Sequence, residues 1–412
     1  MSFFTFSENL GFNFFISILY MVSSNLFTSF YSNVLAVSSN ISRVFHHDER
    51  NYLPIDFDIE TRIPDCICLS NNKSTALTLS KDNIDIKTIA DITNEYEKQN
   101  HGLTSDFSND FFTHKKDKHV FCCTRIKGIL NKKNAIYIPG NNDYFHVQTM
   151  AQNLKRKGYN FYAISFPNFG FASDAKDTHF SSFNSIPFLF QYIDVILSHY
   201  KIKKIDILFG HSTGGLIATM YAEYKNKKNQ FIERLVLSSP FFDWYSEPNA
   251  KSFMKKEEFL EQVITPLGLI IPLVNVKTAI GTPNLTTCQE FNEINFNPKY
   301  KSLINTHTYP EWIRAVTIAH ERIQKGTVNV KCTVDIFHSD KSVYWTYADD
   351  ADNTLDVDDI KKYGKLISSD VRLHEIPNSI HSTFMRICIG YFGNNKTPHV
   401  NNKCLTANPF AY

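Results

Sequence analysis

From residue 134 onward the chain alternates two hydrophobic rhythms. Apolar runs of strand length occur at "NAIYIPG" (134–140), "NFYAISFP" (160–167), "KIDILFG" (204–210) and "IERLVLSSP" (232–240). Between them, apolar residues recur three and four positions apart, the period of a helix face. "HVQTMAQNLKRKGY" (146–159) puts Val147, Met150, Ala151 and Leu154 on one such face and stops at Gly158. "IPFLFQYIDVILSHY" (186–200) reads as a helix opened by Pro187 in its first turn. "GLIATMYAEYK" (215–225) is a third helix. The strands are almost continuously apolar, the signature of strands covered on both faces. Strand and helix alternating at this spacing predict right-handed βαβ units and a mostly parallel sheet flanked by helices.

The alternation is then interrupted. Residues 243–325 read as helices and loops without a strong strand, an insert of about eighty residues, too long for a simple connection and read here as a helical cap between late strands. Strands resume at "KCTVDIFHSD" (331–340) and "VRLHEIP" (371–377), with a helix expected over 357–367. Upstream, residues 43–118 are polar and mixed, and 96–119 look like a loop. They read as an extension, with the main domain running from 119 to 412.

The first 42 residues are different again. No charged residue occurs from Asn9 to Ser42, and the densest apolar piece is "FNFFISILYMV" (12–22). That piece is short of the about 20 apolar residues a membrane span needs. A signal peptide opens with basic residues, whereas the early charge here is Glu8. Three readings stay open: a packed or surface-lying helix, which is favoured, a membrane anchor, and a cleaved signal. A membrane surface therefore enters as a partner only through this segment, and cytoplasmic, membrane-associated and secreted locations all stay open.

Composition narrows the function only a little. With 43 Lys and Arg against 41 Asp and Glu, the net charge is +2, so no field favours nucleic acid. The eight cysteines show no paired zinc spacing and read as buried free thiols. Neither a metal nor an organic cofactor is required by any motif.

The chemistry is concentrated at "FGHSTGG" (209–215), between a predicted strand and a predicted helix. The pattern G-x-S-x-G in that context is a nucleophile elbow: Ser212 on a sharp turn, with Gly210 and Gly214 letting strand and helix approach. A catalytic serine needs a base, and the base an orienting carboxylate, in the chain order serine, acid, histidine. His381, in "IPNSIHS" just beyond the last predicted strand, is the best base; His374, inside that strand, reads as structural. For the acid, "SDKSVYWTYADDADNTLDV" (339–357) offers several choices. Asp352, just before the 357–367 helix, is preferred over Asp340 and Asp356, which remain alternatives. The oxyanion hole needs two backbone N–H groups, expected from Thr213, after the serine, and from Asn141 in "IPGNND" after an earlier strand.

These residues carry a resemblance. "IYIPGNNDYF", "GYNFYAISFPNFGFAS", "GHSTGG", "EWIRAVTIAHERIQKG", "DNTLDVDDI" and "IPNSIHS" run in the order seen in the α/β-hydrolase superfamily, over roughly two thirds of the chain. The chain most resembles the lysophospholipase, monoacylglycerol lipase and serine aminopeptidase S33 type. The resemblance implies an α/β-hydrolase fold with Ser212 as nucleophile and His381 as base. It also supports Asp352, which heads a D-x-V-L-D-like motif. It implies a small acyl ester or monoacyl lipid as substrate, with a peptidase or acyltransferase using the same triad as the alternative. A non-catalytic ligand-binding relative is the alternative from outside enzymes. Two features depart from the family pattern: Pro139-Gly140 stands where His-Gly is usual, and "SFPNFGFAS" (165–173) where an Asp-x-Arg-Gly-x-Gly-type loop is usual. Both border the expected oxyanion hole.

Overall fold

A computed structural model describes residues 57–62, 106–114, 119–126, 133–146, 148–177, 179–228, 232–245, 283–293, 296–343 and 347–383. The uncharged segment 1–42, the apolar stretch 264–274 of the insert and Cys66, Cys68, Cys388 and Cys404 lie outside the described residues.

The sheet has nine strands: β1 (Phe57–Arg62), β2 (Phe107–His114), β3 (Val120–Ile126), β4 (Lys133–Ile138), β5 (Tyr159–Ser165), β6 (Ile205–His211), β7 (Ile232–Ser238), β8 (Thr333–Ser339) and β9 (Val371–Ile376), in the spatial order β1-β2-β3-β5-β4-β6-β7-β8-β9. From β5 to β9 every neighbouring pair is parallel; β1, β2 and β3 add on antiparallel. The helices are α1 (Gln148–Arg156), α2 (Ile186–His199), α3 (Thr213–Lys227), α4 (Leu285–Glu293), α5 (Pro310–Gln324) and α6 (Val357–Gly364).

Alternating residues of β4, β5, β6, β7 and β8 feed two cores. Ile136, Ile138, Leu208, Leu235 and Ile336 face one side, where α2, α3, α5 and α6 bury Ile193, Ile217, Val316 and Ile360. Ala135, Tyr137, Ile207, Phe209 and Val236 face the other, against Met150, Ala151 and Leu154 of α1. This is the doubly covered parallel sheet that the uninterrupted apolar runs predict. α2 begins where expected: Ser185 caps it by accepting from the Phe188 amide at 3.4 Å, and Pro187 occupies the first turn.

Two boundaries differ from the sequence reading. β2 lies inside the stretch 96–119, read as a loop, so the sheet reaches back beyond residue 119 into the supposed extension. The strand escapes a hydrophobic pattern because Asn109 and Asp110 are buried in it. Their partners come from other elements: Thr124 of β3 donates to Asn109 (2.6 Å), and Arg125 of β3 (2.9 Å) and the Tyr200 hydroxyl, ninety positions away, donate to Asp110. The second difference concerns the insert. α5 buries Trp312, Val316, Ala319 and Ile323 in the main core, so it belongs to the helical layer rather than to a cap. The described part that sits apart is 283–305, with its own small cluster of Cys288, Phe291, Phe296 and Leu303 around Tyr144.

Cys122, Cys123, Cys288 and Cys332 are free thiols, all buried. Among the described residues no helix is long and apolar enough to cross a membrane.

Candidate active site

Ser212 stands between the end of β6 and the first residue of α3 with φ 52° and ψ −122°. A β-carbon-bearing residue held there costs on the order of 1–3 kcal/mol and needs surroundings that enforce it. The surroundings do so. The Ser212 amide donates to the Ser238 carbonyl at 3.0 Å, and the Ser212 carbonyl accepts from Phe241 at 3.1 Å, so β7 and the chain after it grip the turn. The glycines are required by space. A Cβ on Gly210 would stand 2.5 Å from the Gly214 carbonyl oxygen, and one on Gly214 2.3 Å from the carbonyl oxygens of Ile138 and Pro139. The elbow therefore packs directly under the loop after β4. A Cβ on Gly140 in that loop would meet the Ser212 Cβ at 3.1 Å.

The expected oxyanion donors sit on either side of this contact. Thr213 opens α3, and Asn141 follows Gly140. Among the described residues neither amide donates a hydrogen bond within the chain. Asn142, at φ 49°, is tied down on both sides. Its amide donates to the Ser181 hydroxyl, and its side chain exchanges hydrogen bonds with the backbone of Ser302 at 2.9 and 2.8 Å.

His381 and Asp352 are brought together. His381 Nδ1 lies 2.9 Å from Asp352 Oδ2 and 3.1 Å from Oδ1, with His381 3 % and Asp352 0 % exposed. Asp352 also accepts from the amides of Thr354 and Leu355, each at 2.9 Å, and its backbone pairs with Lys341 and Val343. Nδ1–H is thus committed to the carboxylate, which leaves Nε2 as the basic nitrogen. Burial alone pushes the His381 ring down; the Asp352 charge and hydrogen bond outweigh it, and the net shift is upward. Burial likewise raises Asp352, but His381 and the two amides bring it below the usual carboxylate range.

The alternative acids are occupied elsewhere. Asp340 accepts from the Asn378 amide at 2.9 Å, and Asp356 caps α6 through the Asp358 amide at 3.0 Å. His374 is 2.7 Å from Asp335, which also receives Arg234 at 2.6 Å, an arrangement that ties β7, β8 and β9 together. No hydrogen bond joins Ser212 to His381 among the described residues, a contact that acyl-transfer sites often complete only with substrate bound.

Behind these residues lies a buried charged cluster with no counterpart in the sequence reading. Lys301 Nζ donates to Asp143 Oδ1 at 2.8 Å and to Glu290 Oε2 at 2.7 Å. Asp143 accepts from the Gly140 amide at 3.4 Å, and Glu290 accepts from the Ser382 hydroxyl. Ser382 also lies 3.2 Å from His211 Nε2, while His211 Nδ1 faces the Ser238 carbonyl at 3.2 Å. Burial raises Asp143, yet Lys301 beside it brings it down to about 2. Burial, and then His381, push His211 down to about 4, so it is neutral at neutral pH. Asp143, His211 and Ser382 fall within recognised motifs. Lys301 and Glu290 come from separate stretches, and nothing in their local sequence marks them.

The departure at 165–173 becomes a packed wall. Phe166 and Phe169 are buried in the core, and Phe171 packs edge-on against Tyr144 at 5.1 Å. On the far side of the elbow Phe241 meets Trp244 at 5.0 Å and Trp312 at 6.4 Å. A surface cavity of about 540 Å³, lined by Asp194, Lys201, Lys225 and Ile232 among others, opens at the opposite ends of the strands, where β6 and β7 begin. Among the described residues no group of three or more His, Cys, Asp or Glu is set to hold a metal ion.

The chain has the α/β-hydrolase fold. The family described as "alpha/beta hydrolase fold" matches residues 136–263, from β4 through the elbow and β7. Among solved structures, the chain is similar to a monoacylglycerol lipase from Paleococcus ferrophilus, at 19 % identity over 64 % of this chain and 95 % of that one, with a TM-score of 0.46. It is similar to a soluble variant of monoglyceride lipase from Saccharomyces cerevisiae, at 17 % identity over 66 % and 87 %, TM-score 0.48. A Nitrososphaera gargenis structure described among carboxylesterases matches at 16 % identity over 67 % and 93 %, TM-score 0.41. Comparison with curated proteins gives no match. None of these likenesses carries a residue's role over to this chain.

Proposed function

We propose that the protein is a serine hydrolase that cleaves carboxylic esters, with monoacyl lipids as its substrate class. The observation that carries the reading is the buried His381–Asp352 pair, with Nδ1 committed to the carboxylate, in the same fold as a strained serine elbow. Ser212 Oγ attacks the acyl carbonyl and its proton passes to His381 Nε2. Asp352 holds the ring's tautomer and stabilises the imidazolium. The amides of Asn141 and Thr213 take the charge that develops on the carbonyl oxygen. The C–O bond to the leaving alcohol breaks as His381 returns the proton, and water, deprotonated by His381, then releases the acid from Ser212.

The lipid part of the reading rests on the resemblance and on the aromatic wall of Phe241 and Trp244 next to the elbow. Transfer of the acyl group to another acceptor, or cleavage of a peptide, needs the same residues. Association with a membrane surface is proposed only through residues 1–42.

The test is labelling with a fluorophosphonate probe, which reacts only with an activated serine. Labelling of the wild type that disappears in Ser212→Ala is expected, followed by turnover of an ester series graded by chain length. A folded wild-type protein that takes no label overturns the reading in favour of a ligand-binding relative.

A further inference from the structure

We propose that Lys301 and Glu290, on the segment between β7 and β8, are positioning residues that strap the loop bearing Asn141 to the loop bearing His381. The inference rests on the serine-hydrolase reading of Ser212, His381 and Asp352. Its basis is one continuous buried chain of contacts: Gly140 amide to Asp143, Asp143 to Lys301, Lys301 to Glu290, Glu290 to Ser382, and Ser382 to His211. One end lies beside the expected oxyanion donor, and the other flanks both the base and the nucleophile in sequence. Asp143, Glu290, Lys301, His211 and Ser382 are each 5 % exposed or less.

A purely structural purpose accounts poorly for this arrangement. Two carboxylates and one ammonium taken out of water incur a large desolvation penalty, and apolar residues of equal volume would serve packing as well or better. The fixed geometry is what such a cluster supplies. Lys301 is clamped from two sides, and Asn142 is held next to it by the Ser302 backbone. Ser382 has a single hydroxyl proton for two acceptors, and it goes to the ionised carboxylate. Glu290 thereby fixes the residue next to His381, and its charge acts on the ring.

The charged and titratable groups around His381 come from four elements. Asp352 is on the acid loop, His211 on the elbow, Asp143 (with His146 behind it) on the loop after β4, and Glu290 and Lys301 on the insert. Of the insert pair, Glu290 favours the protonated His381 ring and Lys301 disfavours it. Glu290→Gln keeps the size and an acceptor for Ser382 while removing the charge. Its predicted effect has one sign: His381 becomes neutral at lower pH.

The experiment follows the pseudo-first-order rate of fluorophosphonate labelling against pH in the full-length protein. Glu290→Gln is expected to move the acid limb of the profile down by about half to one pH unit. Lys301→Met is expected to lower the plateau rate at least about tenfold, since loosening a positioned donor by an ångström has effects of that order or larger. If Lys301→Met does not fold, the pair Lys301→Met with Glu290→Gln removes one of the two carboxylates left without their ammonium and replaces it in the test. An acid limb for Glu290→Gln that overlays the wild type overturns the proposal, and so does a Lys301 variant whose plateau is within about twofold of it. If the wild type takes no label at Ser212, the hydrolase reading fails by itself. NMR titration of His381, assigned through His381→Gln, then decides the strap: a lower midpoint in Glu290→Gln supports it and an unchanged midpoint overturns it.

Discussion

His381 Nδ1 and Asp352 Oδ2 meet at 2.9 Å with neither residue more than 3 % exposed. They lie 29 positions apart in the chain, with all of α6 and β9 between them. Such a pair is stable only as a unit, because removing one partner strands the other in a dry interior.

Asp352→Asn tests the unit with little change of shape. The amide no longer holds the imidazole in the tautomer that leaves Nε2 basic. Labelling of Ser212 is expected to slow by about 10³–10⁴-fold. Circular dichroism should report an intact fold, which separates the chemical effect from an unfolding one.

The pH dependence follows from the same pair. The net upward shift of His381 means that the ring stays protonated above the ordinary histidine range and is then unable to accept the serine proton. The labelling rate is expected to fall on the acid side, with its midpoint above the ordinary histidine value of about 6.5. A midpoint at or below that value in a rate–pH profile contradicts this.

Histidines 374 and 381 are seven residues apart in sequence yet are expected to behave oppositely. His374→Gln breaks the contact with Asp335 and should lower the melting temperature while labelling persists. His381→Gln should abolish labelling. Loss of labelling in both would mean that the Asp335 cluster supports the site itself.

The elbow glycine 214 is expected to tolerate no substitution. Gly214→Ala drives a methyl to 2.3 Å from two backbone carbonyl oxygens, which have no flexible end to swing away. A loss of about 3 kcal/mol or more is expected. Gly158→Ala is the comparison: at φ +84°, with nothing within 4 Å of the new carbon, the loss is conformational only, about 1–2 kcal/mol. Urea melts of the two variants measure the difference.

Asp143 gives an acid-stability signature. Its folded pKa of about 2 lies below the value of about 3.8 for a free carboxylate, so its contribution is complete above pH 4 and is lost as the pH falls toward 2. The shift corresponds to roughly 2 kcal/mol. Asp143→Asn should flatten that part of the stability–pH curve, measured by denaturant unfolding between pH 5 and pH 2.

Much of this molecule was legible without coordinates, and for a physical reason. A strand buried on both faces, such as β6 with Ile205 through His211 all inside, must be largely apolar, its Asp206 and His211 lying near its two ends. A helix lying on it must repeat its apolar residues at the helical period, so β4 to β9 and α1, α2, α3 and α6 are written locally. Ser212 was legible because a sharp strand-to-helix turn needs small residues at fixed positions around it. His381 and Asp352 were inferred from chain order, but that Asp352 rather than Asp340 or Asp356 meets His381 is decided by where two loops come to rest over the sheet. β2 could not be read, because its buried Asn109 and Asp110 become acceptable only when Thr124, Arg125 and Tyr200 arrive from elsewhere. The Asp143–Lys301–Glu290 cluster is the extreme case. A charge can be buried only when its partner is present, and partners 158 residues apart are brought together by tertiary structure alone.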